Sequence, residues 1–151
     1  MKDRFKLIPA VYLVVMEEGK VLLLRRFNTG YEDGKYSLPA GHLDGDEPLT
    51  TAMVREAKEE IGVTIKPSAL KLAHIMHRRS EVKGTTADER VDFYFVTASY
   101  VGEIKNMEPD KCDELLWCDL NHLPKNIIPC VKEALLNIAQ TNILSERGWP
   151  A

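Results

Sequence analysis

Between Gly41 and Val63 the chain reads GHLDGDEPLTTAMVREAKEEIGV, and no other stretch constrains the fold as tightly. From Leu49 to Ile61 the spacing predicts a helix: at about 100° per residue, Leu49, Met53, Val54, Ala57 and Ile61 gather on one arc that must be buried. Pro48 suits the first helical turn and Gly62 the stop. The same 23 residues hold six carboxylates. Glu56 and Glu60 fall at the margin of the apolar arc with Glu59 beside them, and Glu60 lies nearly over Met53 and Leu49. A solvated face, with Arg55 pairing to Glu59 for about 0.3–0.5 kcal/mol, accounts for Arg55 and Lys58 but not for Glu60.

Three carboxylates that converge on one edge raise each other's proton affinity unless a cation is shared among them. Oxygen-only ligation favours a hard ion, and Mg²⁺ characteristically takes a few carboxylates and completes its shell with water and substrate phosphates. The spacing that creates this crowding resembles the Nudix box, which runs G, five residues, E, seven residues, then R-E-U-x-E-E-x-G-U with U aliphatic. Gly41, Glu47, Arg55, Glu56, Ala57, Glu59, Glu60, Gly62 and Val63 stand at its fixed positions. Ala57 is small where a larger aliphatic is usual, a departure that touches packing and not chemistry.

The resemblance implies an α/β fold, a three-layer α/β/α sandwich around a central mixed sheet, with one Nudix hydrolase domain over residues 1–151. It implies Mg²⁺-dependent hydrolysis, with Mn²⁺ as a substitute, of a pyrophosphate bond in a nucleoside diphosphate linked to another moiety. By the same resemblance Glu56, Glu59 and Glu60 hold the metal and Glu56 is a candidate base. Arg55 and Glu47 complete the catalytic set by fixing glutamate rotamers, and the carbonyl of Ala40 joins the metal shell. A further acid is expected from the late loop among Glu108, Asp110, Asp113 and Glu114, with Asp113 and Glu114 preferred because they adjoin a strand. The small single domain favours a nucleoside triphosphate, plain or modified, cleaved to monophosphate and pyrophosphate. ADP-ribose or a nucleotide sugar is the alternative substrate, and a nucleotide-sensing module without catalysis is the alternative of another class.

Elsewhere the sequence offers fewer constraints. A chain of 151 residues, 44% hydrophobic and 28% charged, can enclose one core. Its formal charge of −3, with basic residues spread along it, argues against a nucleic-acid polymer as partner. Cys112, Cys118 and Cys130 lack zinc spacing and are odd in number, which points to a reducing cytoplasm. No apolar run approaches the roughly 20 residues that cross a bilayer. The expected partner is a small-molecule nucleotide, and a homodimer is compatible with the sequence.

Before the box, AVYLVVM and VLLLRR read as a hairpin joined by EEGK. Residues 27–47 read as a glycine-rich loop with a short strand at 36–38. After the box, GVTIK, LKLAHIMHRR, RVDFYFVTASYV and ELLWCDL read as strands, and CVKEALLNIAQTNIL as a closing helix. Arg25 and Arg26 are adjacent on a strand and point to opposite faces, so at most one reaches a phosphate. With Tyr36 and His42 they are the substrate-binding candidates. Phe27 and Tyr31 suit base stacking or packing, whereas His74, His77, His122 and Trp117 read as structural.

Overall fold

A strand that is apolar on both faces needs cover on both sides, and the N-terminal hairpin supplies two such strands. The computed structural model describes residues 2–79 and 89–151. The hairpin is β1 (Ile8–Glu17) and β2 (Lys20–Arg26). Its turn holds Glu18 and Gly19 at φ 50° and 76°, the paired positive φ of a type I′ turn. Then follow β3 (Tyr36–Ser37), β4 (Ala40–His42), helix α1 (Leu49–Ile61), β5 (Lys71–Arg79), β6 (Glu89–Thr97), β7 (Cys112–Asp119), helix α2 (Pro129–Ala139) and β8 (Leu144–Arg147). The sheet runs β3-β2-β1-β6-β5-β8, with β4 also on β1 and β7 also on β2. It is mixed: β1 is parallel to β6 and β8 to β5, while the other pairs are antiparallel.

Period-two alternation sorts the core into two layers. Val11, Leu13 and Val15 with Leu22 and Leu24 pack under Ala52, Met53, Ala57 and Ile61 of α1. Val14, Val21 and Leu23 face the other way, with Met76 and Tyr94, and meet Val131, Ala134 and Leu135 of α2. The outcome is the expected α/β/α sandwich. Trp117, on β7, packs at the edge of the α1 layer.

The hairpin strands pair only at Met16–Val21 and Glu17–Lys20 before they diverge. β1 goes on to β6, and β2 to β7. The glycine-rich segment fills the opening: Ser37 pairs with Leu24, the Leu13 amide donates to the Pro39 carbonyl at 2.8 Å, and Ala40 pairs with Tyr12. This insertion brings residues 40–42 against the edge of α1.

Four local expectations change. Pro48 precedes the helix as its cap, with ψ 154°, and so stands just outside the first turn. GVTIK is not a strand: Thr64 makes one bridge to Val101, while Val63 and Ile65 turn into the core. Ala40–His42 form a strand despite poor β propensity, because β1 offers an open edge there. The closing helix ends at Ala139, and residues 144–147 cross to pair with β5, a long-range contact that helical periodicity does not reveal.

Met53 is fully buried at the centre of the α1 arc. Met53→Ala is expected to lower the unfolding free energy by about 2–5 kcal/mol in urea denaturation. A loss below about 0.5 kcal/mol, the size of a surface change, would show that the helix is not anchored through this arc.

Candidate active site

Arg55 organises the charged edge of α1. Its guanidinium lies 2.8 Å from Glu47, 2.8 Å from Glu56, 3.3 Å from Asp44 and 3.5 Å from Glu59. It also donates to the carbonyl of His42 at 3.4 Å. Glu47 accepts a second bond from the Asp44 amide at 3.0 Å, so the loop before α1 and the helix are tied through one carboxylate. Arg55 holds the Glu47 carboxyl below the usual range, and Glu47 in turn makes Arg55 harder to deprotonate. Charge-assisted contacts of this kind fix rotamers as well as charge.

Glu56 and Glu60 face inward from the same edge. A Cβ placed on Gly41 would stand 2.1 Å from the Glu56 carboxyl carbon, so only glycine leaves space for that carboxylate. Burial pushes the Glu56 carboxyl up, Arg55 opposes this, and Glu59 and Glu108 add to the rise. Burial raises Glu60 further, with the Glu56 charge adding to it. The Ala40 amide donates to Glu60 at 2.8 Å and works against that rise. Loss of water beside a like charge is the signature of a site built for a partner cation or proton.

These glutamates line a cleft of about 680 Å³ together with Arg55, Glu108 and Lys111. A second cleft of about 250 Å³ is lined by Tyr12, Tyr31, His42, Arg78 and Arg90 among others. Arg26 and Ala40 line both, so the two clefts meet at these residues. An open hollow of about 510 Å³ along α2, lined by Lys125, Lys132 and Leu136, holds none of the box residues.

Of the two adjacent arginines, Arg26 is the one at the clefts. It donates to the Tyr31 carbonyl at 2.7 Å and to Thr29 at 3.0 Å, and lies over the Tyr31 ring. Arg25 points elsewhere: it pairs with Asp113 at 2.7 Å and Glu114 at 3.2 Å, and Glu114 accepts from the Tyr36 hydroxyl at 2.9 Å. Arg25, Tyr36, Asp113 and Glu114 therefore form a cluster of their own, and none of them lines either cleft. The late acid beside the glutamates is Glu108, which sequence reasoning included but did not prefer. Its carbonyl accepts from the amides of Lys111 and Cys112, both at 2.9 Å, closing a turn with Pro109 in its second position. That Glu-Pro-Asp-Lys turn signal was available in the sequence. His74 is buried and hydrogen-bonded to Asn142 and Ser145, whereas His122 is exposed on the surface.

A divalent cation fits the donor set. Two partly desolvated carboxylates share the cleft with Glu108, and Arg55 is the cation that compensates Glu56. Glu56, Glu59 and Glu60 would hold the ion. Among the described residues no three His, Cys, Asp or Glu side chains already stand in a metal-holding arrangement. Glu59 has an exposed side chain, with the 3.5 Å approach of Arg55 as its ion pair.

The chain is similar to known proteins in sequence and in fold. A profile of the NUDIX domain matches residues 6–137. ADP-ribose pyrophosphatase of Methanocaldococcus jannaschii is 32% identical over 126 residues, which cover 82% of this chain and 70% of that protein. Phosphatase NudJ of Escherichia coli K12 is 40% identical over 63 residues, 42% of this chain and 40% of NudJ, so the match spans less than half of that relative. Among solved structures, a MutT NUDIX hydrolase from Burkholderia pseudomallei superposes with a TM-score of 0.76 at 24% identity, covering 87% of this chain and 98% of that one, a likeness of fold. Box, cleft and kinship converge, and the chain belongs to the NUDIX family as a hydrolase of pyrophosphate bonds.

Proposed function

We propose that this hydrolase uses Mg²⁺, with Mn²⁺ as a substitute, to cleave the pyrophosphate bridge of a nucleoside diphosphate linked to a sugar, with ADP-ribose as the favoured substrate. The observation that carries the reading is the meeting of the two clefts at Arg26 and Ala40. A bridge lying there has its reacting phosphorus beside the carboxylates and one of its two ends in the second cleft. The pyrophosphatase relative, aligned over 82% of this chain, supports ADP-ribose ahead of the nucleoside triphosphate that chain size alone favours. Three free, buried cysteines are consistent with a reducing compartment, and among the described residues no helix is long and apolar enough to cross a membrane.

A divalent ion held by Glu56, Glu59 and Glu60 would supply charge to offset the anionic bridge and would ease the deprotonation of a water. Glu56, whose proton affinity is raised by burial, is suited to take the proton of that water. Arg55 holds the Glu56 carboxylate at 2.8 Å in the space left by Gly41, and the Ala40 amide orients Glu60. Arg26 supplies positive charge at the junction, and Lys111 supplies it within the carboxylate cleft. Water adds across the P–O–P bridge, so one product gains its hydroxyl and the other its proton; ADP-ribose gives AMP and ribose 5-phosphate.

Product chromatography after incubation with Mg²⁺ and ADP-ribose, nucleotide sugars or nucleoside triphosphates should show AMP and ribose 5-phosphate from ADP-ribose. Pyrophosphate release from triphosphates, with ADP-ribose left intact, would favour the other substrate class. Glu60→Gln is expected to lower Mg²⁺-dependent turnover by about a hundredfold or more. Its thermal midpoint should stay near that of the parent, because the amide oxygen still accepts the Ala40 N–H and a desolvated charge is gone; unchanged turnover would remove Glu60 from the site. Gly41→Ala tests the fit from the other side. Displacing the Glu56 carboxylate should cost roughly tenfold or more in kcat with a change in stability of about 1 kcal/mol or less, and full activity would show that the carboxylate need not sit there.

A further inference from the structure

Arg26 is held at the junction of the clefts by the loop that follows it. The backbone closes this loop tightly: the Arg26 amide donates to the Lys35 carbonyl at 2.9 Å, and the Gly34 amide returns to the Arg26 carbonyl at 2.7 Å. The Phe27 amide donates to the Lys111 carbonyl at 2.9 Å, which fastens the loop to the turn that carries Glu108. Between these anchors Asn28 and Glu32 both have φ 53°, and Gly30 and Gly34 both have φ 82°. Asn28 and Glu32 bear side chains in a region that glycine occupies freely, so contacts must hold this conformation. Asp33 supplies them. Its carboxylate accepts from the Thr29 amide at 3.0 Å, the Gly30 amide at 2.9 Å and the Thr29 hydroxyl at 2.5 Å. These donors, the Thr29 hydroxyl first among them, hold the Asp33 carboxyl below the usual range.

The Thr29 hydroxyl passes this constraint on to Arg26. It has one hydrogen and two acceptors in reach, Asp33 Oδ1 and the Tyr31 carbonyl at 2.9 Å. The charged acceptor takes the hydrogen. The hydroxyl oxygen is then left to accept from Arg26 Nη2 at 3.0 Å, and the Tyr31 carbonyl to accept from Arg26 Nε at 2.7 Å. Two guanidinium nitrogens are thereby fixed, and Nη1 has no acceptor among the described residues. Thr29 lines the carboxylate cleft, Tyr31 the second cleft and Arg26 both. The Arg26 charge also reaches Glu60, where it opposes the rise that burial causes. Asp33→Asn would break this chain at its start: one of its two terminal atoms becomes a donor facing a backbone N–H, and the Thr29 hydroxyl is released to compete with Arg26 Nε for the Tyr31 carbonyl.

We propose that Asp33 is a positioning residue for pyrophosphate cleavage: through the Thr29 hydroxyl and the Tyr31 carbonyl it fixes the Arg26 guanidinium so that Nη1 meets the oxygens of the bridge. This rests on the bridge lying at the junction of the clefts, as in the function proposed above, and not on which group stands beyond it. Asp33 touches neither substrate nor metal and acts only through Arg26.

A double-mutant cycle with Mg²⁺ and ADP-ribose tests it. Asp33→Asn and Thr29→Val should each lower kcat/KM by about tenfold, and Thr29→Ser, which keeps the hydroxyl, should recover most of what Thr29→Val loses. In an Arg26→Met background Asp33→Asn should change kcat/KM by less than about twofold, because the guanidinium through which it acts is gone. A readout free of metal and substrate runs alongside: in the arginine side-chain ¹H–¹⁵N spectrum, the Nε–H of Arg26 should exchange with solvent at least about tenfold faster in Asp33→Asn than in the parent. Should Asp33→Asn fail to fold, Thr29→Val decides, alone and combined with Arg26→Met. If Asp33→Asn costs as much in the Arg26→Met background as it does alone, Asp33 merely stabilises the loop and the proposal is overturned. Parental kcat/KM in folded Asp33→Asn and Thr29→Val would overturn it too. Failure of the ADP-ribose reading shows separately, as a parent protein that cleaves triphosphates and leaves ADP-ribose intact; the cycle is then read on the triphosphate with the same outcomes.

Discussion

Arg55 has four carboxylates within 3.5 Å, and the active cleft depends on that one guanidinium. Glu56 and Glu60 lose water beside each other, which drives both towards protonation. Arg55 compensates the first, and the backbone amide of Ala40 compensates the second. Neither compensation is complete: burial keeps both carboxyls above the ordinary glutamate range. A surface cluster of the same residues would be hydrated and nearly indifferent to a cation.

The backbone around this cluster follows from the sheet. Because β1 and β2 pair at only two positions and then separate, the glycine-rich segment can enter between them and present residues 40–42 to α1. The same separation places Arg26, at the end of β2, against both clefts. One departure from a regular hairpin thus positions the Ala40 amide for Glu60, the space at Gly41 for Glu56 and the shared boundary on which a bridging substrate would lie.

Much of this was legible in the chain itself. The apolar arc of α1, its stop at Gly62, the crowding of Glu56, Glu59 and Glu60 and the support from Arg55 and Glu47 are separations within 23 residues, and a helix converts such separations directly into geometry. The opposed directions of Arg25 and Arg26 also followed from strand periodicity, and the structure sends one to the clefts and the other to Asp113. The strands at 40–42 and 144–147 were not legible, since each depends on which distant segment offers an edge, and the turn signal at Pro109 did not by itself say that Glu108, and not Asp113 or Glu114, faces Glu56 and Glu60.

By itself, then, the sequence determined one end of the site: a helix that crowds Glu56, Glu59 and Glu60 on one edge, at the spacing that marks a family of pyrophosphate hydrolases. Tertiary structure decided the other end. Tyr12, Arg26, Arg78, Asp92 and Arg90 come from four strands, β1, β2, β5 and β6, and the parallel register of β1 with β6, which puts Ala10 beside Asp92, brings the two early strands against the two late ones. Local periodicity propagates only a few residues along a chain, whereas a binding cleft is assembled from sheet neighbours that periodicity cannot pair.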